Sequence, residues 1–286
     1  MQSSLWFYLE DISVGFAFPQ MPNTLAVGDI MAGQPGKALP PELENFMSAA
    51  SSDGVILVSF GSYLDFLPPD VARRFCDAFS DGRNGLRVVW KIRDKELCSF
   101  GAREGRLKLM SWVPQNDLLA DPRVQLFISH GGLSSIVESV YHTKPLIIFP
   151  VAFDQPTNAA AAESKGFAIR MNIGDFSPQT LLTNIDKLLA DPSYKRNARL
   201  ASAILRDRLD TAAQRVSAMI DHVIKYGDRH LRTGAYQLST IQFFMFDIFA
   251  VLLAAVVAVL SSVILMCYCI CRTCCGRCCA TKPKTA

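Results

Sequence analysis

The fold is decided by Val124-Gln125-Leu126-Phe127-Ile128-Ser129-His130-Gly131-Gly132-Leu133-Ser134-Ser135-Ile136-Val137-Glu138. Val124 to Ser129 is a near-continuous apolar run of strand length. The paired glycines then turn the chain, and from Leu133 the apolar residues fall at helical spacing. An apolar strand running through glycines straight into a helix is one step of a parallel sheet covered on both faces. Working outward, the same kind of run appears at Val55 to Phe60, which ends in Gly61-Ser62, at Leu86 to Ile92, and at Pro145 to Pro150. Pro68-Pro69-Asp70 opens a helix, with proline where the first turn tolerates it. Helical patterns fill 132–142, 155–166, 177–190 and about 193–226. Strands alternating with helices in this way predict an α/β, doubly wound, Rossmann-like domain over about residues 20–225.

Composition excludes several classes. Half of the 286 residues are hydrophobic, 19% are charged and the net charge is only +3, which rules out disorder for most of the chain. Seventeen glycines and 15 prolines are too few for a collagen-like or proline-rich chain. No basic patch with interleaved aromatics points to nucleic acid.

Ile248 to Cys271 contains no charged residue. At 1.5 Å per residue such a helix is roughly 36 Å long, enough to cross a bilayer. The short tail after it carries Arg272, Arg277, Lys282 and Lys284, so the positive-inside rule places the tail in the cytosol and the main domain on the other side. Lys284 and Lys282, third and fifth from the end, resemble a dilysine retrieval signal and suggest the endoplasmic reticulum. Seven of the nine cysteines lie between Cys267 and Cys279. Cys271, Cys274, Cys275 and Cys278 have short spacings that a zinc site could use, but the tail has no room for a folded metal domain. S-palmitoylation or free thiols fit a juxtamembrane position better. Cys76 and Cys98 remain for the main domain, too few for a disulfide framework. Met1 to Phe18 lacks a basic n-region and holds Glu10 and Asp11, so it does not read as a cleavable signal. Either the start is missing or the terminal helix does the targeting.

In a parallel sheet ligands sit beyond the carboxyl ends of the strands, so strand-to-helix turns are where chemistry is expected. Gly131 and Gly132 allow close backbone approach, and the helix they open offers free N–H groups and a positive dipole end to a phosphate. His130 stands ready to donate to a phosphate oxygen. Ser134 and Glu138, four apart, share one helix face, which suits a nucleoside diphosphate with its ribose held by the carboxylate. No G-x-G-x-x-G is present, so this is not the dinucleotide fingerprint. In Trp112-Val113-Pro114-Gln115-Asn116-Asp117 the indole offers a flat face to a base, or packs its loop onto the core, while Gln115 can bond a ribose or base edge. Asp154 and Gln155, after the Pro145 to Pro150 run, suit sugar hydroxyls, although Asp154 could equally cap the next helix.

The pattern F-I-S-H-G-G-x-x-S-x-x-E from Phe127, followed by Pro145-Leu146-Ile147, Pro150 and Asp154-Gln155, resembles the signature of the UDP-glycosyltransferase family. It is similar in particular to the animal, membrane-bound UDP-glucuronosyltransferases. Trp112 to Leu119, Val58-Ser59-Phe60-Gly61-Ser62, Asp191 to Lys195, His230-Leu231-Arg232 and the lysine-bearing tail fit as well. The resemblance implies a GT-B fold, of which this chain carries the C-terminal, donor-binding half. On that basis 1–20 is a remnant of the interdomain region or N-terminal domain, and 21–227 binds the UDP-sugar. Residues 228–247 are juxtamembrane, 248–271 cross the membrane and 272–286 form the tail.

The resemblance also implies roles. Trp112 would stack on uracil, Gln115 would contact the nucleoside and Glu138 would hold the ribose. Ser62, His130, Gly132, Ser134 and Ser135 would surround the diphosphate, and Asp154 and Gln155 would bind the transferred sugar. Relatives often carry Asn where Ser134 stands and Arg where Lys91 stands. Lys cannot reproduce a bidentate grip, which puts a role for that position in doubt. The family's catalytic base, a His oriented by an Asp, belongs to the acceptor domain and has no match here, so no catalytic residue is assigned. His142, His222 and His230 read as structural or surface residues. Neither metal nor cofactor is expected, the UDP-sugar being a co-substrate. The implied partners are UDP-glucuronate or UDP-glucose, a small lipophilic acceptor, the membrane, and a second copy or a relative as oligomer partner.

Overall fold

The computed structural model describes residues 3–31, 35–49, 54–61, 67–80, 85–98 and 105–279. Two compact units are present, Met1–Asp228 and Arg229–Ala286.

The first unit is built on a six-stranded, all-parallel sheet. Its strands are β3 (Val55–Ser59), β4 (Arg87–Lys91), β5 (Leu107–Met110), β6 (Val124–Ser129), β7 (Leu146–Ile148) and β8 (Ala168–Arg170), in the spatial order β5-β4-β3-β6-β7-β8. The chain winds outward from β3 in one direction, returns, and winds outward from β6 in the other. This is the dinucleotide-fold strand order, with its switch point between β3 and β6. Those two strands are in register to their ends, Ser59 opposite Ser129.

Helices cover both faces. Alternate residues of β3 divide between two cores. Ile56 and Val58 join Phe60, Phe75, Phe79, Trp90, Phe149 and Phe176 under α2 (Pro69–Ser80) and α6 (Pro178–Ala190). Val55 and Leu57 join the opposite core under α1 (Pro41–Ser48), α3 (Gln115–Ala120), α4 (Leu133–Tyr141), α5 (Gln155–Ser164) and α7 (Pro192–Arg206).

The four predicted strands are all present. Two more, β5 and β8, were not predicted. They are the edge strands of the sheet, four and three residues long, and too short to show a periodicity. The helix predicted over 193–226 is two helices, α7 and α8 (Ala212–Tyr226). Thr211 accepts from the Gln214 backbone N–H while the Gln214 side chain accepts from Thr211, a reciprocal cap that starts a new helix. Cys76 on α2 and Cys98 are joined in a disulfide, with Cα atoms 5.5 Å apart and both residues fully buried. Two cysteines are no framework, yet they staple α2 to the segment after β4.

Before the sheet, β1 (Trp6–Tyr8) and β2 (Thr24–Ala26) pair in parallel. Asp11, almost fully buried, ion-pairs with Arg208, the Lys165 ammonium donates to the Ile12 carbonyl, and Val14 enters the second core. Trp6, Phe7, Phe16 and Phe18 nevertheless stay exposed.

The second unit holds a short helix, α9 (Thr240–Phe243), and the long helix α10 (Phe246–Cys279). Phe246–Arg272 is long and apolar enough to cross a membrane, and none of it is buried in protein. A helix apolar on every side has no core face to place against a soluble domain.

Lys144 lies 4% exposed at the foot of β7, where its ammonium donates to the carbonyls of Asp121 and Val124 at 2.8 and 2.7 Å. It holds the turn that feeds β6. Lys144→Met removes both bonds, and we expect about 1–3 kcal/mol of destabilisation. Chemical unfolding of the full chain in detergent measures it, and an unchanged midpoint would assign the turn to packing alone.

Candidate functional site

The turns after β3 and β6 meet at the switch point, where the sequence places glycines. A Cβ on Gly61 would lie 2.8 Å from the His130 ring, and one on Gly132 would lie 2.6 Å from it. The imidazole is thus held between two backbone segments that approach closely because neither carries a side chain. The Ser129 hydroxyl lies 3.5 Å from His130 Nδ1, and the Lys91 ammonium donates to the Gly61 carbonyl at 2.9 Å. Burial lowers the pKa of His130; Asp154 opposes this and Lys91 adds to it. The ring is therefore neutral at pH 7, with one N–H to donate. Lys91, whose role the sequence left in doubt, braces the turn beside it.

Gly132 is the N-cap residue of α4. Among the described residues no side chain accepts from the first-turn N–H groups, and the first turn holds no acidic residue. Those N–H groups and the dipole end carry no capping side chain from the described residues. Ser134 and Ser135 lie in this first turn, the former half-buried and the latter buried. One turn deeper, Glu138 accepts from Gln115 Nε2 at 2.7 Å, and the same amide lies 3.4 Å from the Ser135 hydroxyl. Two residues assigned separately to the nucleoside are thus brought together, from different strand ends. Burial raises the pKa of Glu138, and the Gln115 bond partly offsets this. Trp112, 66% exposed, does not pack into the core.

After β7 the segment 151–155 forms the adjoining rim. Gln155 is buried, and its Oε1 accepts from the backbone N–H groups of Val151 and Ala152 at 2.8 and 3.0 Å. Its carbonyl shapes the loop. Asp154 is exposed. It occupies the N-cap position of α5 but makes no side-chain cap bond there. Instead it accepts from Asn158 Nδ2 at 2.7 Å, and Asn158 also donates to the Gly131 carbonyl at 3.1 Å. Asn158, unremarked in the sequence, ties the carboxylate to the glycine turn. Its signal was its place four residues after Asp154, one helical turn on. Ser62 lies outside the described residues.

His142 was read as structural, and its place explains how. Its Nε2 lies 2.8 Å from Asn116 Oδ1, fastening the Trp112–Asp117 segment to the end of α4. His222 and His230 are exposed on other parts of the chain.

Comparison with known proteins shows the family and the fold. The family model described as "UDP-glucoronosyl and UDP-glucosyl transferase" matches residues 1–282. Mouse 2-hydroxyacylsphingosine 1-beta-galactosyltransferase is 34% identical over 89% of this chain and 46% of its own length. Human UDP-glucuronosyltransferase 3A2 is 34% identical over 88% of this chain and 48% of its own length. The chain therefore spans about half the length of the curated relatives it matches. Among solved structures, the glycotransferase of kitacinnamycin superposes with a TM-score of 0.56 at 26% identity, covering 67% of this chain and 46% of that one. UDP-glucose: anthocyanidin 3-O-glucosyltransferase, solved in complex with UDP, gives 0.56 at 23% identity, covering 66% and 44%. The GT-B architecture is shared with these glycosyltransferases, with one candidate membrane helix in addition.

Burial, Arg206 and Lys144 push the pKa of His142 down to about 4, with Asp117 opposing. Between pH 6.5 and 4 the unfolded chain takes up a proton that the folded chain resists, so stability falls on acidification through that window. His142→Gln keeps a donor for Asn116 and removes the titration. Its deficit in melting temperature against wild type should therefore shrink from pH 7 to pH 4.5. A constant deficit would show that His142 does not titrate in this way.

Proposed function

The chain belongs to the UDP-glucuronosyl and UDP-glucosyl transferase family, and we propose on that footing that it is the donor-binding half of a membrane-anchored UDP-glycosyltransferase. The observation that carries the reading is the line of groups along the strand ends. Gln115 and Glu138 lie toward β5 and β6, the uncapped N-terminus of α4 lies at the switch point, and Asp154 is tied to the Gly131 turn beside β7. Trp112 takes the uracil face and the Glu138 carboxylate accepts from the ribose hydroxyls. The first-turn N–H groups, Ser134, Ser135 and the neutral His130 take the diphosphate, and Ser62 joins them. Asp154 and the Gln155 amide bind the transferred sugar of UDP-glucuronate or UDP-glucose.

In transfer, a hydroxyl of a small lipophilic acceptor attacks the anomeric carbon with inversion, and UDP leaves. Charge then builds on the β-phosphate oxygens, where the helix dipole and the His130 donor stabilise it without metal or cofactor. The base that takes the acceptor's proton comes from the acceptor domain, so this chain by itself binds donor without turnover.

We place the main domain in the lumen of the endoplasmic reticulum, the helix 248–271 across its membrane and the basic tail in the cytosol. The buried Cys76–Cys98 disulfide supports this side of the membrane, because such bonds persist in oxidising compartments.

Calorimetric titration of the full chain in detergent with UDP tests the site. Glu138→Ala should weaken UDP at least tenfold, since hydrogen bonds to a charged group are worth about 1.5–3 kcal/mol. Unchanged affinity would remove Glu138 from the ribose site. Asp154→Asn should leave UDP within twofold and reduce discrimination among UDP-sugars, and an equal collapse of UDP binding would make Asp154 structural.

A further inference from the structure

Gln115 and Asn116 are neighbours at the start of α3, and each is tied to α4. Gln115 Nε2 donates to Glu138 at 2.7 Å, and Asn116 Oδ1 lies 2.8 Å from His142 Nε2. Glu138 and His142 are four apart, one turn of the same helix face. The His142 backbone N–H donates to the Glu138 carbonyl at 3.1 Å. Two consecutive residues of one element are thus bonded to two consecutive turns of another, as the rungs of a ladder.

The second rung has a fixed direction. Asn116 Nδ2 donates to Asp117 Oδ1 at 3.4 Å, so its oxygen faces His142 and the imidazole donates from Nε2. The ring is itself backed. Tyr141 packs edge-on to it, with ring centroids 5.0 Å apart, and the Tyr141 carbonyl accepts from Ser202 Oγ at 2.9 Å and Arg206 Nη2 at 2.6 Å. Helix α7 therefore holds the end of α4 at the residue before His142.

The two rungs differ in what happens to them when a nucleoside arrives. Gln115 and Glu138 are the groups that receive it, so a ribose competes for the first rung. His142 and Asn116 are assigned to no ligand, and their rung persists. Helix α3 is six residues long, and its N-cap, Pro114, makes no side-chain cap bond. A helix that short has little stability of its own. Leu118 and Leu119 anchor its far end in the core. At the near end the second rung keeps the segment on α4 while the first exchanges partners.

We propose that His142 is a positioning residue of the donor site, which through Asn116 holds the segment 112–116 against α4 and so sets the affinity for the nucleoside part of the donor. The inference rests on the donor-site reading above and adds to it a residue that touches no ligand.

The test is calorimetric titration of the full chain in detergent with UDP, for wild type, H142A, N116A, the H142A/N116A double variant and H142Q, with a melting temperature for each. H142A should weaken UDP about fivefold, the size of one hydrogen bond. N116A should do the same, and the double variant should bind no more weakly than either single one, because all three remove one contact. H142Q keeps a donor and should bind UDP within twofold of wild type even where it melts earlier, a rescue that a loss of general stability would not give. Wild-type affinity in folded H142A, or additive losses in the double variant, would overturn the proposal. So would an H142Q as weak as H142A. Should H142A not fold, N116A decides, and wild-type affinity there overturns it equally. A folded wild type that binds no UDP would instead bring down the donor-site reading, and this inference with it.

Discussion

The pairing of β3 with β6 is the contact on which the rest of this molecule depends. The two strands lie next to each other in the sheet although about seventy residues separate them in the chain, and they end together at Ser59 and Ser129. Because the winding reverses there, a switch point of this kind is where open α/β sheets place a ligand crevice. Gly61 and Gly132 close on His130 from both turns, so the crevice floor is a neutral imidazole between two bare backbone segments. Any side chain at either glycine would have to displace the ring.

Around that floor the electrostatics are sorted by distance along the sheet edge. The positive dipole end of α4 and the Lys91 ammonium lie close to the switch point, while the carboxylates stand to either side, Glu138 deeper and Asp154 on the rim. Each carboxylate is oriented by an amide, Gln115 for one and Asn158 for the other. An amide can hold a carboxylate in place without neutralising it. Both therefore remain acceptors for hydroxyl groups on either side of a central anion.

Support for the crevice comes from residues that touch no ligand in this reading. His142 pins the Trp112–Asp117 segment to α4 through Asn116, Lys144 ties down the turn entering β6, and the Cys76–Cys98 disulfide fixes α2 against the chain after β4. All three act across the sheet edges or its connecting turns, where short strands contribute few ladder bonds. The exposed aromatic residues of β1 and the following segment form no such support.

The sequence alone determined the local features. Strand-length apolar runs at 55–60, 86–92, 124–129 and 145–150, the glycine turns, the helix starts at Pro69, Leu133 and Gln155, and the long uncharged helix near the end all depend on neighbours in the chain. So did the identity of the residues at the strand ends, since a strand-to-helix turn displays its side chains wherever it is placed. Tertiary structure decided which ends meet. Strand order arises from pairings between distant segments, and no local periodicity encodes it. The Gln115–Glu138 bond, the Asn158 bridge, the Asn116–His142 brace and the Cys76–Cys98 link all follow from that order. Gln155 marks the boundary most clearly. Its amide read as a sugar ligand, yet burial left its carbonyl with the backbone N–H groups of its own loop as partners.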